Sequence, residues 1–231
     1  SKYNTEIYSQ FDKIAACSEG CRQSFLNLLP QFKDKTFTVE NCHNYNKIRN
    51  SAKAENISLP SDKLNIVTVA RFGKEKGVLR AIRAVSKLKK KDLLKYYIIG
   101  DGTEFEQAKA LIDELNLSEN VTLLGEKENP YGYIKAADLL LIPSYSEAAP
   151  MVIGEAACLG VPVLSTETSS SEEMVAATGY GFVCKNSQDG ITQALEEIIN
   201  NQSLIKEKSS FLNSQKFSNV NALKQFSELV E

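Results

Sequence analysis

Glu147 and Glu155 stand eight positions apart in the stretch SYSEAAPMVIGEAACLGVPVLST, residues 144–166. Almost everything between and behind them is apolar. Pro150 can open a helix and Gly160 can close one, which puts Glu155 about one turn into it. Val152, Ile153, Ala156, Ala157 and Leu159 bury that helix nearly all round. A carboxylate there is costly unless it is hydrogen-bonded or paired, so something polar should meet it. The plain alternative is a helix carboxylate turned to solvent. Glu147 lies in the loop ahead of the helix, directly after the apolar run ADLLLIP.

A second group of chemistry-bearing residues follows the run LNIVTVA. In RFGKEKG, Arg71 sits at the end of the run, Gly73 and Gly77 bend the chain, and Lys76 precedes a helix opening at Val78. Two cations beside a helix N-terminus make an anion site, because the amides and the helix dipole favour phosphate. An ordinary polar loop with surface lysines is the competing reading. Further on, IIGDGTEF contains a G-x-G, but Phe105 stands where the dinucleotide fingerprint needs its third glycine. Gly100 and Gly102 therefore mean only a tight turn, with Asp101 suited to cap it. Gly125 ends the run NVTLLG, and Lys127 follows it as either a cleft residue or a surface lysine.

These residues share one feature: each directly follows a short apolar run. The runs are TFTVE, LNIVTVA, KYYIIG, NVTLLG, ADLLLIP, VPVLST and GFVC, and several are continuously apolar, as strands covered on both faces are. Amphipathic helical patterns lie between them: Val78, Ile82, Val85 and Leu88 share one face, and Phe105, Ala108, Leu111, Ile112 and Leu115 another. A third pattern holds Ile191, Leu195 and Ile198. Such alternation predicts an α/β fold, a Rossmann-like open parallel sheet with helices on both faces. Ligands in these folds bind beyond the carboxyl ends of the strands, where the candidates sit. Residues 1–35 hold one strand-like run, KIAACS, and a helix ending at Pro30, and read as the tail of something preceding. Residues 203–231 are helical, and the last part has no strand to return to; it is expected to pack back on the first segment.

Composition narrows the function. The chain has 231 residues, 42% of them hydrophobic, enough for a sizeable core. With 27 basic and 29 acidic residues, nothing global points to nucleic acid. The basic run KLKKKDLLK, residues 87–95, reads as a solvated helix end, with contact to an anionic membrane surface as the sharper alternative. Neither a membrane-spanning run nor a signal peptide is visible. Cys17, Cys21, Cys42, Cys158 and Cys184 are odd in number and scattered, which suits a reducing cytosol. Cys17 and Cys21 could share a helix face, but with His43 as the single histidine no metal site is expected.

PSYSEAAPMVIGEA resembles the E-x₇-E motif of retaining glycosyltransferases of the family 4 type. VARFGKEKG is similar to that family's G-R-x-x-x-x-K-G loop, and IIGDGTE to its glycine turn. The resemblance runs over about residues 11–200. It implies a GT-B fold, with residues 1–35 a remnant of an N-terminal acceptor domain, 36–215 a nucleotide-sugar-binding domain, and 216–231 a helix crossing back. By the resemblance, Arg71 and Lys76 would grip the donor's diphosphate and Glu147 would contact the transferred sugar; these three are the expected catalytic residues. Glu155 would bond the ribose hydroxyls, backbone around Gly125 to Lys127 would line the base, and the amides of Met151 and Val152 would help hold phosphate or sugar. Ala148 and Ala149 depart from the family's Gly-Phe, Pro150 removes an amide, and Asn44 stands where an aspartate is usual. His43 is given no part.

The resemblance further implies transfer of a hexose-type sugar, with retention, to a glycan or lipid-linked acceptor reached through the missing domain, in polysaccharide assembly. The place would be cytoplasmic, with peripheral contact at the inner membrane face. The donor would be a nucleoside-diphosphate sugar, expected to be a UDP-sugar, with no further cofactor. The sequence has no D-x-D, so metal-independent binding is expected. The chain is expected to be inactive alone. Three rival readings stand beside this one: a partner subunit completing a split transferase, a GT-B-fold sugar-nucleotide epimerase, and a nicotinamide-dependent oxidoreductase, which the missing fingerprint disfavours.

Overall fold

The computed structural model describes residues 5–230. Eight strands run β1 Ile14–Ala16, β2 Thr36–Thr38, β3 Leu64–Val69, β4 Leu94–Ile99, β5 Val121–Gly125, β6 Leu139–Ile142, β7 Val163–Thr166 and β8 Gly181–Cys184. The helices are α1 Thr5–Ser9, α2 Glu19–Leu28, α3 Tyr45–Ala54, α4 Val78–Ser86, α5 Phe105–Glu114, α6 Tyr131–Ala136, α7 Met151–Cys158, α8 Gln188–Asn200, α9 Ser203–Ser214 and α10 Val220–Val230.

Six strands form one parallel sheet in the order β5-β4-β3-β6-β7-β8. The chain builds outward from β3 through β4 to β5, then returns to place β6 on the other side of β3, with Ile66 beside Leu139 and Val67 beside Leu140. Loops leaving β3 and β6 therefore part in opposite directions, and the crevice between them is the switch point where such sheets take ligands. Residues 36–38 do not join this sheet: β2 pairs in parallel with β1, Ile14 beside Thr36, as a separate two-stranded unit.

Each central strand is apolar on both faces because each face is covered. Leu64 and Ile66 of β3, Tyr96 and Ile98 of β4, and Leu139 and Leu141 of β6 pack with Val78, Ile82, Val85, Leu111, Leu195 and Ile198 of α4, α5 and α8. The alternate residues Val67, Ile99, Leu140 and Ile142 pack with Ile134, Ile153 and Ala156 of α6 and α7. The two-residue period of a strand sorts side chains between these layers, and each fully buried Leu or Ile is worth about 1.5–3 kcal/mol.

The N-terminal unit is tied to the larger sheet by polar contacts. Gly20 N–H donates to the Glu173 carboxylate at 3.3 Å, and Ser18 Oγ donates to the Ala148 carbonyl at 2.8 Å. The last helix returns to the same region: Gln225 and Asn221 of α10 bond Glu40, and Asn219 exchanges hydrogen bonds with the backbone of His43. Among the described residues no helix is long and apolar enough to cross a membrane.

Candidate functional site

Lys76 and Glu147 come from loops at the ends of β3 and β6, and their side chains meet. Lys76 Nζ donates to Glu147 Oε1 at 2.8 Å, and Ser144 Oγ donates to the same oxygen at 2.6 Å. Both contacts fall on Oε1, which leaves Oε2 with no donor among the described residues. Lys76, Glu147, Arg71, Met151 and Val152 line one cavity of about 210 Å³, together with the buried Thr68 and Ser144. The first amides of α7 open there, and they have no intrahelical acceptor. A cavity holding two cations, a carboxylate and unpaired amides is fitted to hold an anion beside a hydroxyl-bearing group.

Local geometry explains how each member reaches the cavity. Gly77 adopts φ 65° between the turn that carries Lys76 and the start of α4. Only glycine suits that conformation at low cost, and a Cβ at this position would also stand 2.1 Å from the Pro143 carbonyl oxygen. The two loops can thus touch. Arg71 extends outward, with its side chain 76% exposed, and pairs with Glu75 at 3.3 Å. Water screens a pair so exposed, so it does not hold Arg71 away from a ligand.

Glu155 does not line this cavity. It lies half-buried one turn along α7, where Tyr131 OH donates to its Oε1 at 3.2 Å. Burial pushes the Glu155 carboxyl above its ordinary range, while the Tyr131 hydrogen bond and the charge of His43 pull it back. Burial, with Glu155 beside it, pushes the Tyr131 phenol up to about 12, so it stays a donor at neutral pH. The polar group expected to meet Glu155 is therefore a protein hydroxyl. Gly125 and Lys127 lie further along the same sheet edge. Gly100 N–H donates to the Gly125 carbonyl at 2.9 Å and Ala70 N–H to that of Ile99 at 3.0 Å. Gly125 is thus two strands, roughly 10 Å, from the end of β3. Its φ is 68° and a Cβ there would meet open space, and Lys127 is exposed.

The loop that carries Glu147 is held almost carbonyl by carbonyl from outside. Arg80 takes Pro143 and Ser144, Asn186 takes Tyr145 at 3.0 Å, Ser169 takes Glu147 at 2.9 Å, and Ser18 takes Ala148. Asn41 reaches Ala149 at 3.3 Å, and His43 Nε2 donates to the Met151 carbonyl at 2.9 Å. His43, given no part from the sequence, in fact supports the first turn of α7, packed so closely that a Cβ on Gly154 would stand 2.7 Å from its ring. Sequence reasoning missed Ser144, Tyr131, Arg80 and His43. Ser144 was within reach of the strand-end rule. Tyr131 and His43 carried no signal, since their partners are distant in sequence.

The family described as "Glycosyl transferases group 1" matches residues 50–215, which hold β3 through β8 and every residue of the cavity. The chain belongs to this family. Among curated relatives of this group 1 glycosyltransferase, an uncharacterized glycosyltransferase of Methanocaldococcus jannaschii is 29% identical over 166 residues, 70% of this chain and 41% of that one. The N-acetylgalactosamine-N,N'-diacetylbacillosaminyl-diphospho-undecaprenol 4-alpha-N-acetylgalactosaminyltransferase of Campylobacter jejuni is 29% identical over 204 residues, 87% of this chain and 54% of that enzyme. The group 1 glycosyltransferase chain thus spans about half the length of these relatives. Among solved structures, HepE of Anabaena in complex with UDP-glucose superposes with a TM-score of 0.78 at 19% identity, covering 97% of this chain and 65% of HepE. Sucrose-phosphate synthase of Thermosynechococcus elongatus does so with a TM-score of 0.78 at 19% identity, covering 97% and 59%. The shared fold is the Rossmann-like parallel sheet of GT-B glycosyltransferases, helices on both faces.

Proposed function

We propose that this chain is the donor-binding part of a retaining glycosyltransferase of the family 4 type. It takes a nucleoside-diphosphate sugar, with UDP as the expected nucleotide, and yields a hexose-type sugar to a glycan or lipid-linked acceptor. The observation that carries this reading is the Lys76–Glu147 contact inside a cavity at the β3–β6 switch point, with Arg71 at its rim and the α7 amides opposite. The UDP-glucose complex of HepE, a protein of the same fold, supports the choice of ligand.

In this reading the diphosphate lies between Arg71, Lys76 and the amides of Met151 and Val152. As the sugar–phosphate bond breaks, charge grows on the leaving diphosphate, and preorganised cations lower the barrier. Glu147, whose Oε2 has no donor among the described residues, receives a hydroxyl of the sugar. Glu155, held by Tyr131, accepts from the ribose hydroxyls, and the base extends toward Gly125 and Lys127. Cationic side chains supply the charge that a D-x-D site would give through a divalent ion, so donor binding is proposed to be independent of metal.

A titration of the chain with UDP-, GDP- and ADP-sugars, each with magnesium and with EDTA, tests this. UDP-sugar should bind equally in both conditions. Binding of none of the three would end the reading, and an absolute need for magnesium would end its metal-independent form.

A further inference from the structure

Arg80 is a buried cation with no carboxylate partner among the described residues. Its side chain rises from α4 with the residue 4% exposed. Nε donates to the Pro143 carbonyl at 2.8 Å, and Nη2 donates to the Ser144 carbonyl at 2.7 Å, with a longer contact to Thr166 Oγ1 at 3.4 Å. The guanidinium carbon lies 3.8 Å from the centroid of the Tyr145 ring. Nη1 is buried without an acceptor among the described residues. Thr166 Oγ1 donates to the same Ser144 carbonyl at 2.6 Å. A guanidinium suits this place because its rigid fork can take two neighbouring carbonyls at once while its flat face stacks on an aromatic ring.

Ser144 is also the residue whose hydroxyl holds Glu147. A closed ring of contacts results: Arg80 holds the backbone of Ser144, Ser144 holds Glu147, Glu147 holds Lys76, and Lys76 returns through Gly77 and the first turn of α4 to Arg80. Tyr145 N–H donates to the Glu75 carbonyl at 2.8 Å, a second tie between the same two loops. We propose that Arg80 is a positioning residue for the donor site, fixing the separation of the Lys76 and Glu147 loops so that the diphosphate meets a formed cavity. Its role as a site residue rests on the donor-site reading; its hold on the loop does not.

The test uses the whole chain with Arg80→Met, which keeps an unbranched apolar stem and removes the donors, and Arg80→Lys, which keeps charge but loses the fork. Amide hydrogen exchange at Tyr145 and Glu147 is compared with that in α8, and affinities for UDP and uridine are measured by calorimetry. Arg80→Met should speed exchange at Tyr145 and Glu147 while sparing α8. It should weaken UDP by about tenfold or more, the scale of hydrogen bonds to charged groups, with uridine little changed. Arg80→Lys should fall between it and the wild type. Unchanged exchange in the loop, or equal weakening of UDP and uridine, overturns the proposal. Should wild-type chain bind no nucleoside diphosphate, the donor reading fails, and the exchange comparison still decides whether Arg80 positions the loop. Should Arg80→Met not fold, Thr166→Val, which removes one hydroxyl from the same carbonyl, is expected to move both readouts the same way by a smaller factor. No movement in that variant or in Arg80→Lys counts against the proposal.

Discussion

Lys76 and Glu147 meet at 2.8 Å although 71 positions separate them in the chain. The pair is well shielded, with side chains 25% and 10% exposed. On the proposed function, the cation assigned to a phosphate is thus already in use, holding the acid assigned to a sugar hydroxyl. A ligand entering here has to share Lys76 with Glu147, which makes the pair a preformed but partly self-neutralised site.

Removing either partner should therefore act in opposite senses on diphosphate binding. Lys76→Ala leaves a shielded carboxylate unpaired, and is expected to lower stability by about 1–2 kcal/mol in urea unfolding and UDP affinity by about tenfold. Glu147→Gln frees Lys76, so UDP affinity should hold or rise a few-fold by calorimetry. Equal losses of UDP binding in both variants would mean that the pair only braces the loops.

Arg71 should separate binding from stability. Its side chain is 76% exposed, and among the described residues it makes one ion pair, with a neighbour on the same loop. Arg71→Ala is expected to change unfolding free energy by no more than about 0.5 kcal/mol. UDP affinity should nevertheless fall several-fold with uridine unaffected. Unchanged UDP affinity would remove Arg71 from the site.

Glu155 should set a pH dependence. Burial first of all raises its pKa above the ordinary value near 4.5. A raised carboxyl favours the protonated folded state, so its contribution is present in full below the unfolded value and is lost as pH rises through the folded one. Glu155→Gln should match wild type at acid pH and be the more stable of the two at neutral pH, as read by thermal melts between pH 4 and 8. On the proposed function, its UDP affinity should fall at neutral pH, where the charged acceptor assigned to the ribose is gone. A variant no more stable than wild type at pH 7 would contradict the assigned burial.

Gly77 should tolerate no side chain. Its φ of 65° disfavours any L residue, and a Cβ would press on the Pro143 carbonyl at 2.1 Å. Gly77→Ala is expected to lose at least about 2–3 kcal/mol of unfolding free energy, read by denaturant titration, because strain and a backbone clash add. A loss below about 1 kcal/mol would show that the two loops can move apart.

The strands illustrate what was readable in advance. LNIVTVA and ADLLLIP are apolar at most positions because both faces are covered, and the sheet places them side by side at its centre. The rule that ligand residues follow strand ends led to Arg71, Lys76, Glu147 and the α7 amides, which line one cavity. Arg80 was hidden by the same kind of reading. It lies on the side of α4 away from Val78, Ile82 and Val85, where an amphipathic pattern faces water, and the β6–α7 loop folds over it instead.

Local chemistry in the chain was sufficient to set the alternation of strands and helices, the parallel sheet and the positions of the charged loops, since burial and turn formation depend on near neighbours. Tertiary structure alone decided which charges touch. Lys76 reaches Glu147 and Tyr131 reaches Glu155 only because the folded sheet brings together loops and helices that are separate in the chain. Hydrogen bonds reach about 3 Å, and no periodicity in a sequence encodes a distance that short between residues so far apart.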